Sequence, residues 1–478
     1  MSHSPVNALP LDQVLLDQTG MHQRLHHASL LDSGLLGSGL MHQALHLATS
    51  AQLTWTQAPT QDSADSPHTE SGDTAQARII LNRLFQDYNG AFAVRLWNGS
   101  MIEIGEGTPA FTVCLEQATA LRNMVWFNDP KHLAEAYFAG DIEVLGDFHA
   151  AMQLREYFEA LSLPLHEKLA LVFRALTLAS DTPLSDVQTS SAQTTHTHSS
   201  QPSLSPASLA LSYEDMPDDF YQCWLDEQML HSCAYFSGQT RDLAQAQCFQ
   251  LDLICQKLKL QHGDVLLDIG CGWGGLACWA AKHYGVFVHG ITKNPEQYAY
   301  AVKQVQRQGL EHLVKIELVS DAYALPASGS FDKAVCISIA DHMGEESMSA
   351  YLDKVYELLK PCGVFLMHAI SNEEHAMRDA STEFINRQLY PLGALTTFPQ
   401  LLQHIDTAKF DVFHVEGLRR HYVMTLHQWL AGLEANHQTV ASMVGERVYR
   451  MWRLYLTASA IQFEQGVTGI HQIVATRR

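Results

Sequence analysis

The residues of this chain best suited to chemistry fall into one dense loop and several isolated positions. The loop is Asp268-Ile269-Gly270-Cys271-Gly272-Trp273-Gly274-Gly275, entered by the apolar, β-prone Val265-Leu266-Leu267 and left by a helical pattern. Alternate glycines between a strand and a helix remove side chains where a ligand must lie against the backbone, so a strand, a tight turn and a helix start are expected. With Gly275 counted, the loop satisfies the dinucleotide fingerprint, which calls for an acidic residue after the second strand to hold a ribose. That strand, 286–291, runs into Thr292-Lys293 instead, which argues for another ligand. The isolated positions are Asp321, Asp341 and His368, each at or just beyond the end of a later apolar run.

Such residues need a sheet to bring them to one edge. Apolar runs predict strands at 265–269, 286–291, 314–319, 334–339 and 364–370, alternating with helical patterns at 276–284, 295–308 and 348–359. Alternation at this spacing implies a parallel, doubly wound sheet, whose ligands sit outside the carboxyl ends of the strands. The stretches Asp268 to Gly275, Thr292 to Gln297, Asp321 to Tyr323, Ile339 to His342 and His368 to Ser371 should therefore meet. Aromatic helices, notably 447–463, follow the sheet. Ahead of it, a helix at 78–88, a hairpin around Asn98-Gly99, a strand at 111–115 and helices at 130–139 and 148–161 read as a small α+β domain. The expected organisation is a disordered extension (1–75), a small α+β accessory domain (76–180), a Ser/Thr/Gln/Pro-rich linker (181–207) and a catalytic α/β domain (208–478).

Composition narrows the function. A net charge of −21 argues against general nucleic-acid binding, which needs a basic footprint. Membrane contact would be local and apolar, or made through Arg419-Arg420 or Arg477-Arg478. No apolar run approaches the roughly 20 residues that span a bilayer. No basic region followed by an apolar core marks the N-terminus, so no secretory signal is expected. The nine cysteines lack paired spacing and read as reduced thiols of a cytoplasmic protein. The 26 histidines form no HExxH or Cys/His ligand set in sequence, and no metal is expected.

Asp268, two residues before the first glycine, completes D-x-G-x-G-x-G, a pattern resembling that of S-adenosylmethionine-dependent methyltransferases. Over about 213–478 the chain is similar to the cyclopropane-fatty-acyl-phospholipid synthases and their mycolic-acid-modifying relatives. The markers are His231-Ser232-Cys233-Ala234-Tyr235-Phe236, the glycine loop, Gly290-Ile291-Thr292 with Glu296-Gln297, Asp341-His342 and Leu366-Met367-His368-Ala369-Ile370. Tyr390-Pro391, His421-Tyr422 with Thr425-Leu426 and Trp429, and a tail from Met451-Trp452 to Gln472-Ile473-Val474 continue the series. Ala139 to Asp147 also looks like part of the accessory domain of bacterial members. The resemblance implies a class I methyltransferase fold with added C-terminal helices.

The resemblance further implies transfer of a methyl(ene) group from S-adenosylmethionine to a cis double bond of an unsaturated phospholipid acyl chain. A carbocation would form and lose a proton to bound bicarbonate, closing a cyclopropane. Positioning is the main task for an alkene, and the cation demands a dry pocket with aromatic faces, for which Tyr235, Phe236, Tyr390, Tyr422 and Trp452 are suited. The matching bicarbonate positions are Cys233, Asp341, His368, Ile370 and Tyr422. The matching cofactor positions are Tyr235, Asp268, Gly270, Gly272, Gly274, Thr292, Gln297, Asp321 and Ala322. The family normally carries glutamate where Asp341 stands. Aspartate draws the carboxylate back by about an ångström, a displacement that can cost roughly a hundredfold in rate. Lys293-Asn294 also replace an apolar–serine pair.

Three other functions stay open from sequence. The same cation could yield methyl- or methylene-branched fatty acids, or the fold could serve N-methylation of a small amine, or a lipid-binding pseudoenzyme in which Asp341 marks decay. The expected setting is a peripheral membrane surface, where a homodimer would suit the task.

Overall fold

The computed structural model describes residues 72–127, 130–178, 216–238, 240, 242–320, 325–326, 330–339, 343, 345–372 and 395–478. Most of the expected N-terminal extension, the expected linker, and the positions Asp321, Ala322, Asp341 and Tyr390 lie outside these residues.

The first structured part opens with helix α1 (Gly72–Leu84), so residues 72–75, assigned by their polarity to the extension, form its first turn. Strands β1 (Phe92–Arg95), β2 (Met101–Ile104) and β3 (Phe111–Leu115) follow, then α2 (Ala118–Phe127), α3 (Pro130–Ala139) and β4 (Ile142–Gly146). The hairpin pairs Arg95 with Met101, and Gly99 takes φ +83° in its turn. The sheet order is β2-β1-β3-β4. The expected helix over 148–161 divides into α4 (Phe148–Met152) and α5 (Leu154–Ala160). Sequence inspection missed α6 (Leu165–Leu176).

The larger sheet carries the candidate site. After α7 (Asp218–Gln222) and α8 (Leu243–Lys257), the chain alternates β5 (Val265–Ile269), α9 (Gly275–Tyr284), β6 (Phe287–Thr292), α10 (Pro295–Arg307) and β7 (Val314–Leu318). It continues through β8 (Phe331–Ile337), α11 (Glu345–Leu358), β9 (Leu359–Asn372), α12 (Phe398–Thr407) and β10 (Phe410–Gly417). Helices α13 (Arg419–Ala435), α14 (His437–Val444) and α15 (Glu446–Gln465) precede β11 (Thr468–Arg477). The strand order is β10-β11-β9-β8-β5-β6-β7. Strands β5 to β9 are parallel as expected, but β11 pairs antiparallel with both β9 and β10. The expected sheet lacks these last two strands: β10 precedes the aromatic helices and β11 follows them.

Burial on both faces explains the apolar runs. Leu266, Val288, Val335, Leu366 and Val474 pack beneath α8 and α9. Their neighbours Leu267, Ile291, Ala334, Met367 and Ile473 pack beneath α11 and α12. Strand order reverses between β5 and β8, where such sheets open a crevice for ligand. Helix α15 joins the two structured parts. Its Met451, Leu454 and Ala458 enter the core of the first part. Its Arg450 and Arg453 reach Glu143 of β4 at 2.6 and 3.6 Å, and Arg453 lies 4.1 Å from the Phe148 ring centroid.

Candidate active site

The glycine loop is fastened to the end of β6. The N–H groups of Gly270 and Cys271 both donate to the carbonyl of Ile291, at 3.0 and 2.9 Å. Gly270, Gly272 and Gly274 take φ of +74°, +54° and +83°, a region that disfavours other L-residues. A Cβ on Gly270 would meet the Ile339 side chain at 2.6 Å, whereas one on Gly272 would meet nothing within 4 Å, leaving open space over the backbone. The Trp273 indole donates to Asp218 at 2.6 Å. Asp268 is buried, and its Oδ2 has no partner among the described residues. Burial raises its pKa to about 7. An open glycine backbone beside a buried, unsatisfied carboxylate fits a ligand with a cationic amine, as S-adenosylmethionine has.

Thr292 and Gln297, expected at the ribose, lie side by side at the end of β6, with the Thr292 hydroxyl donating to Gln297 Oε1 at 3.3 Å. Asn294, which departs from the family pattern, has a structural use. Its side chain accepts from the N–H groups of Glu296 and Gln297 and caps α10 ahead of Pro295. At the end of β8, Ser338 takes φ +60°, an uncommon conformation that leads directly to Ile339 over the loop.

The second cluster lies beyond β9. Cys233, Trp273 and Tyr422 share a buried core with Trp429, Trp452 and Phe463, and Tyr235 and Ile370 pack against it. The segment bearing Cys233 is strapped to α13. Ala234 N–H donates to the Thr425 hydroxyl at 3.1 Å, that hydroxyl donates to His421 O, and Phe236 N–H donates to His421 Nδ1 at 3.0 Å. Tyr422, on the same helix, packs edge-on to Phe463 at 4.8 Å and to Trp429 at 5.9 Å. Tyr235 stacks on His421 at 4.4 Å. Burial pushes the Cys233 thiol well above its ordinary pKa, so it stays protonated and offers no thiolate.

His368 and Ile370 alternate with Met367 and Ala369 along β9, so they share the face opposite the α11 side. His368 is fully buried, and its Nε2 has no partner among the described residues. Desolvation, with Lys257 and His471 nearby, lowers its pKa to about 3 and leaves the ring neutral. A buried imidazole with an unpartnered nitrogen, on the same strand face as Ile370, suits a small anion. Of the nearby glutamines only Gln472 stands among the family markers, and none was expected at the site. Gln247 donates to Ser232 O at 2.9 Å, while Gln250 and Gln472 reach His368. Their signal was present as polar residues at buried positions of α8 and β11, which carry meaning only once the two elements are packed together.

Fold and loop together define a class I S-adenosylmethionine-dependent methyltransferase. Comparison with known proteins narrows the class. A family model described as mycolic acid cyclopropane synthetase matches residues 206–473, and one for a domain of unknown function matches 79–157. The chain is 32% identical over 389 residues to a probable fatty acid methyltransferase of Pseudomonas putida, covering 80% of this chain and 91% of that protein. It is 30% identical to cyclopropane mycolic acid synthase 1 of Mycobacterium tuberculosis, covering 56% of this chain and 96% of that one. Among solved structures it resembles the cyclopropane synthase MmaA2 from Mycobacterium tuberculosis, with TM-score 0.52, 27% identity, and 55% of this chain and 95% of that chain covered. It also resembles mycolic acid cyclopropane synthase CmaA1 complexed with SAH and CTAB, with TM-score 0.52, 31% identity, and 56% and 97% covered. The chain belongs to the mycolic acid cyclopropane synthetase family.

Proposed function

We propose that this methyltransferase acts on the cis double bond of an unsaturated phospholipid acyl chain and forms a cyclopropane, with bicarbonate as proton acceptor. The observation that carries this reading is His368, a neutral, buried imidazole with an unpartnered Nε2, two residues before Ile370, which packs against the aromatic cluster that holds Cys233 and Tyr422. When bound, S-adenosylmethionine supplies an electrophilic methyl group on a sulfonium. Gly270, Gly272, Gly274 and Asp268 would hold it, with Tyr235, Thr292, Gln297, Asp321 and Ala322 around it. Tyr422, Trp429, Trp452 and Phe463 form a buried aromatic core that would keep water from positive charge developing on the lipid. His368 Nε2, the Tyr422 hydroxyl and backbone N–H groups near Cys233 and Ile370 would hold the anion, with the Asp341 carboxylate beside it.

Expression in a host lacking cyclopropane fatty acids tests the reaction by mass spectrometry of fatty-acid methyl esters. A gain of one CH2 on unsaturated chains, co-eluting with a cyclopropane standard, is expected. No gain from protein that binds the cofactor overturns the reading. A methyl- or methylene-branched product is the second reading, favoured by the name of the Pseudomonas putida relative, whose match extends over 80% of this chain.

Helix α6 supports a lipid surface as the place of work. Leu165, Leu169, Phe173 and Leu176, spaced at helical intervals, are 50–74% exposed, while Leu171 and Ala175 face inward on the opposite side. An apolar ridge of this kind lies in the boundary of a bilayer without crossing it, and no helix among the described residues is long and apolar enough to cross. Leu169→Asp with Phe173→Asp should lower co-sedimentation with phospholipid vesicles several-fold, and unchanged sedimentation removes α6 from membrane contact.

A further inference from the structure

His368 stands at one end of a row of side chains that crosses three strands. Glu416 of β10 is in register with Gln472 of β11, and Gln472 with His368 of β9. Directly opposed residues of antiparallel strands place their side chains on one face, close enough to interact. Helix α8 covers that face with Gln250 and, two turns later, Lys257. The Lys257 ammonium, 9% exposed, donates to Glu416 Oε2 at 2.5 Å and to Gln472 Oε1. An ammonium only donates, so the Gln472 amide must turn its oxygen toward Lys257 and its NH2 group away from it. There Gln472 Nε2 lies 3.2 Å from Nδ1 of His368, and Gln250 Nε2 lies 3.3 Å from the same nitrogen. A ring nitrogen that faces amide donors must accept, and in a neutral imidazole the other nitrogen then carries the proton.

We infer that Gln472, oriented by Lys257 and Glu416, is a positioning residue that holds His368 as the tautomer protonated on Nε2. The inference deepens the proposed function and rests on reading His368 as part of the anion site. In this tautomer Nε2 has no lone pair to receive a proton. His368 therefore donates a hydrogen bond to the anion and takes no proton from the lipid. Gln250 reinforces the choice but does not make it, because its own Oε1 has no partner among the described residues to orient the amide.

Protein labelled with 15N-histidine tests this directly, the His368 signals being identified by their loss in His368→Gln. Long-range 1H–15N correlation of the wild type should show a protonated Nε2 and an unprotonated Nδ1. Gln472→Glu replaces the donor by an acceptor and should move the proton to Nδ1. It should also lower kcat about ten- to a hundredfold, as loss of an outer partner does for ligand histidines, with the KM for S-adenosylmethionine unchanged. If that variant fails to fold, Lys257→Met frees the Gln472 amide to rotate and should give a mixture of both tautomers. A wild type protonated on Nδ1 overturns the inference, as does a folded variant that keeps the wild-type pattern and full kcat. The failure of the underlying reading is distinct: His368→Ala would be fully active while the wild type still shows Nε2–H.

Discussion

At the glycine loop the backbone shapes the candidate site, whereas around His368 side chains from separate segments shape it. Gly270 and Cys271 are tied to Ile291 by main-chain bonds, and glycine at φ of +54° to +83° keeps the loop bare. His368 depends on Gln250 from α8 and Gln472 from β11, and Gln472 in turn depends on Lys257 and Glu416. A backbone site tolerates change in its side chains but not in its glycines. A side-chain site fails by degrees, one partner at a time, so the two regions should respond differently to substitution and to pH.

The largest effect should come from Gly270→Val, which combines φ +74° with a Cβ 2.6 Å from Ile339. Cofactor binding, read by calorimetry, should fall below detection, with a stability loss of about 1–3 kcal/mol from the strained conformation. Wild-type affinity would show that the loop does not contact the cofactor.

His368→Ala should lower turnover about 10²- to 10³-fold, the scale of losing one preorganised donor at an anion, and leave cofactor affinity intact. Loss of affinity along with turnover would merge the two regions into one.

Acidity should also separate them. Burial raises Asp268 to about 7, and a cationic ligand favours its charged form. Affinity for S-adenosylmethionine should therefore rise with pH, by up to about tenfold per unit below 7, and level off above it. Asp268→Asn should flatten that curve. Stability follows a different sum. His231 and His368 are lowered from 6.5 to about 3, so between those values only their unfolded forms bind protons, and each contributes stability that is lost as pH falls. Asp268 acts oppositely, holding its proton in the folded state from 3.8 up to about 7. Between pH 4 and 6.5 the two histidines outweigh Asp268, so these three groups together make stability fall toward acid. Denaturant titrations across that range check the sign, and Asp268→Asn should steepen the slope.

The smallest effect expected is from Asp341→Glu, which restores the family's longer carboxylate. Turnover should be unchanged or rise a few-fold. A hundredfold loss would mean that the site is built around the shorter side chain.

Much of the architecture was legible along the chain because its signals are local. The strand at 265–269, the helix start after Gly274 and the Asn98-Gly99 hairpin each depend on neighbours within a few residues. Strands β10 and β11 were not, since nothing near 410–417 or 468–477 announces an antiparallel partner dozens of residues away. Cys233 and Tyr422, named by resemblance, share one core against which Ile370 packs. Asn294 looked like a departure at the ribose, and its use as a helix cap appears only with the helix in place.

The amino-acid order alone determined the glycine loop and the alternation of strands and helices, because backbone conformation and burial period are encoded residue by residue, and the methyltransferase class followed from the resemblance of the loop's pattern. Only the tertiary structure decided which nitrogen of His368 faces Gln472 and Gln250. That choice needs Glu416, Lys257 and Gln472 to meet across three strands and a helix, and a hydrogen-bond direction exists only when both partners are in place.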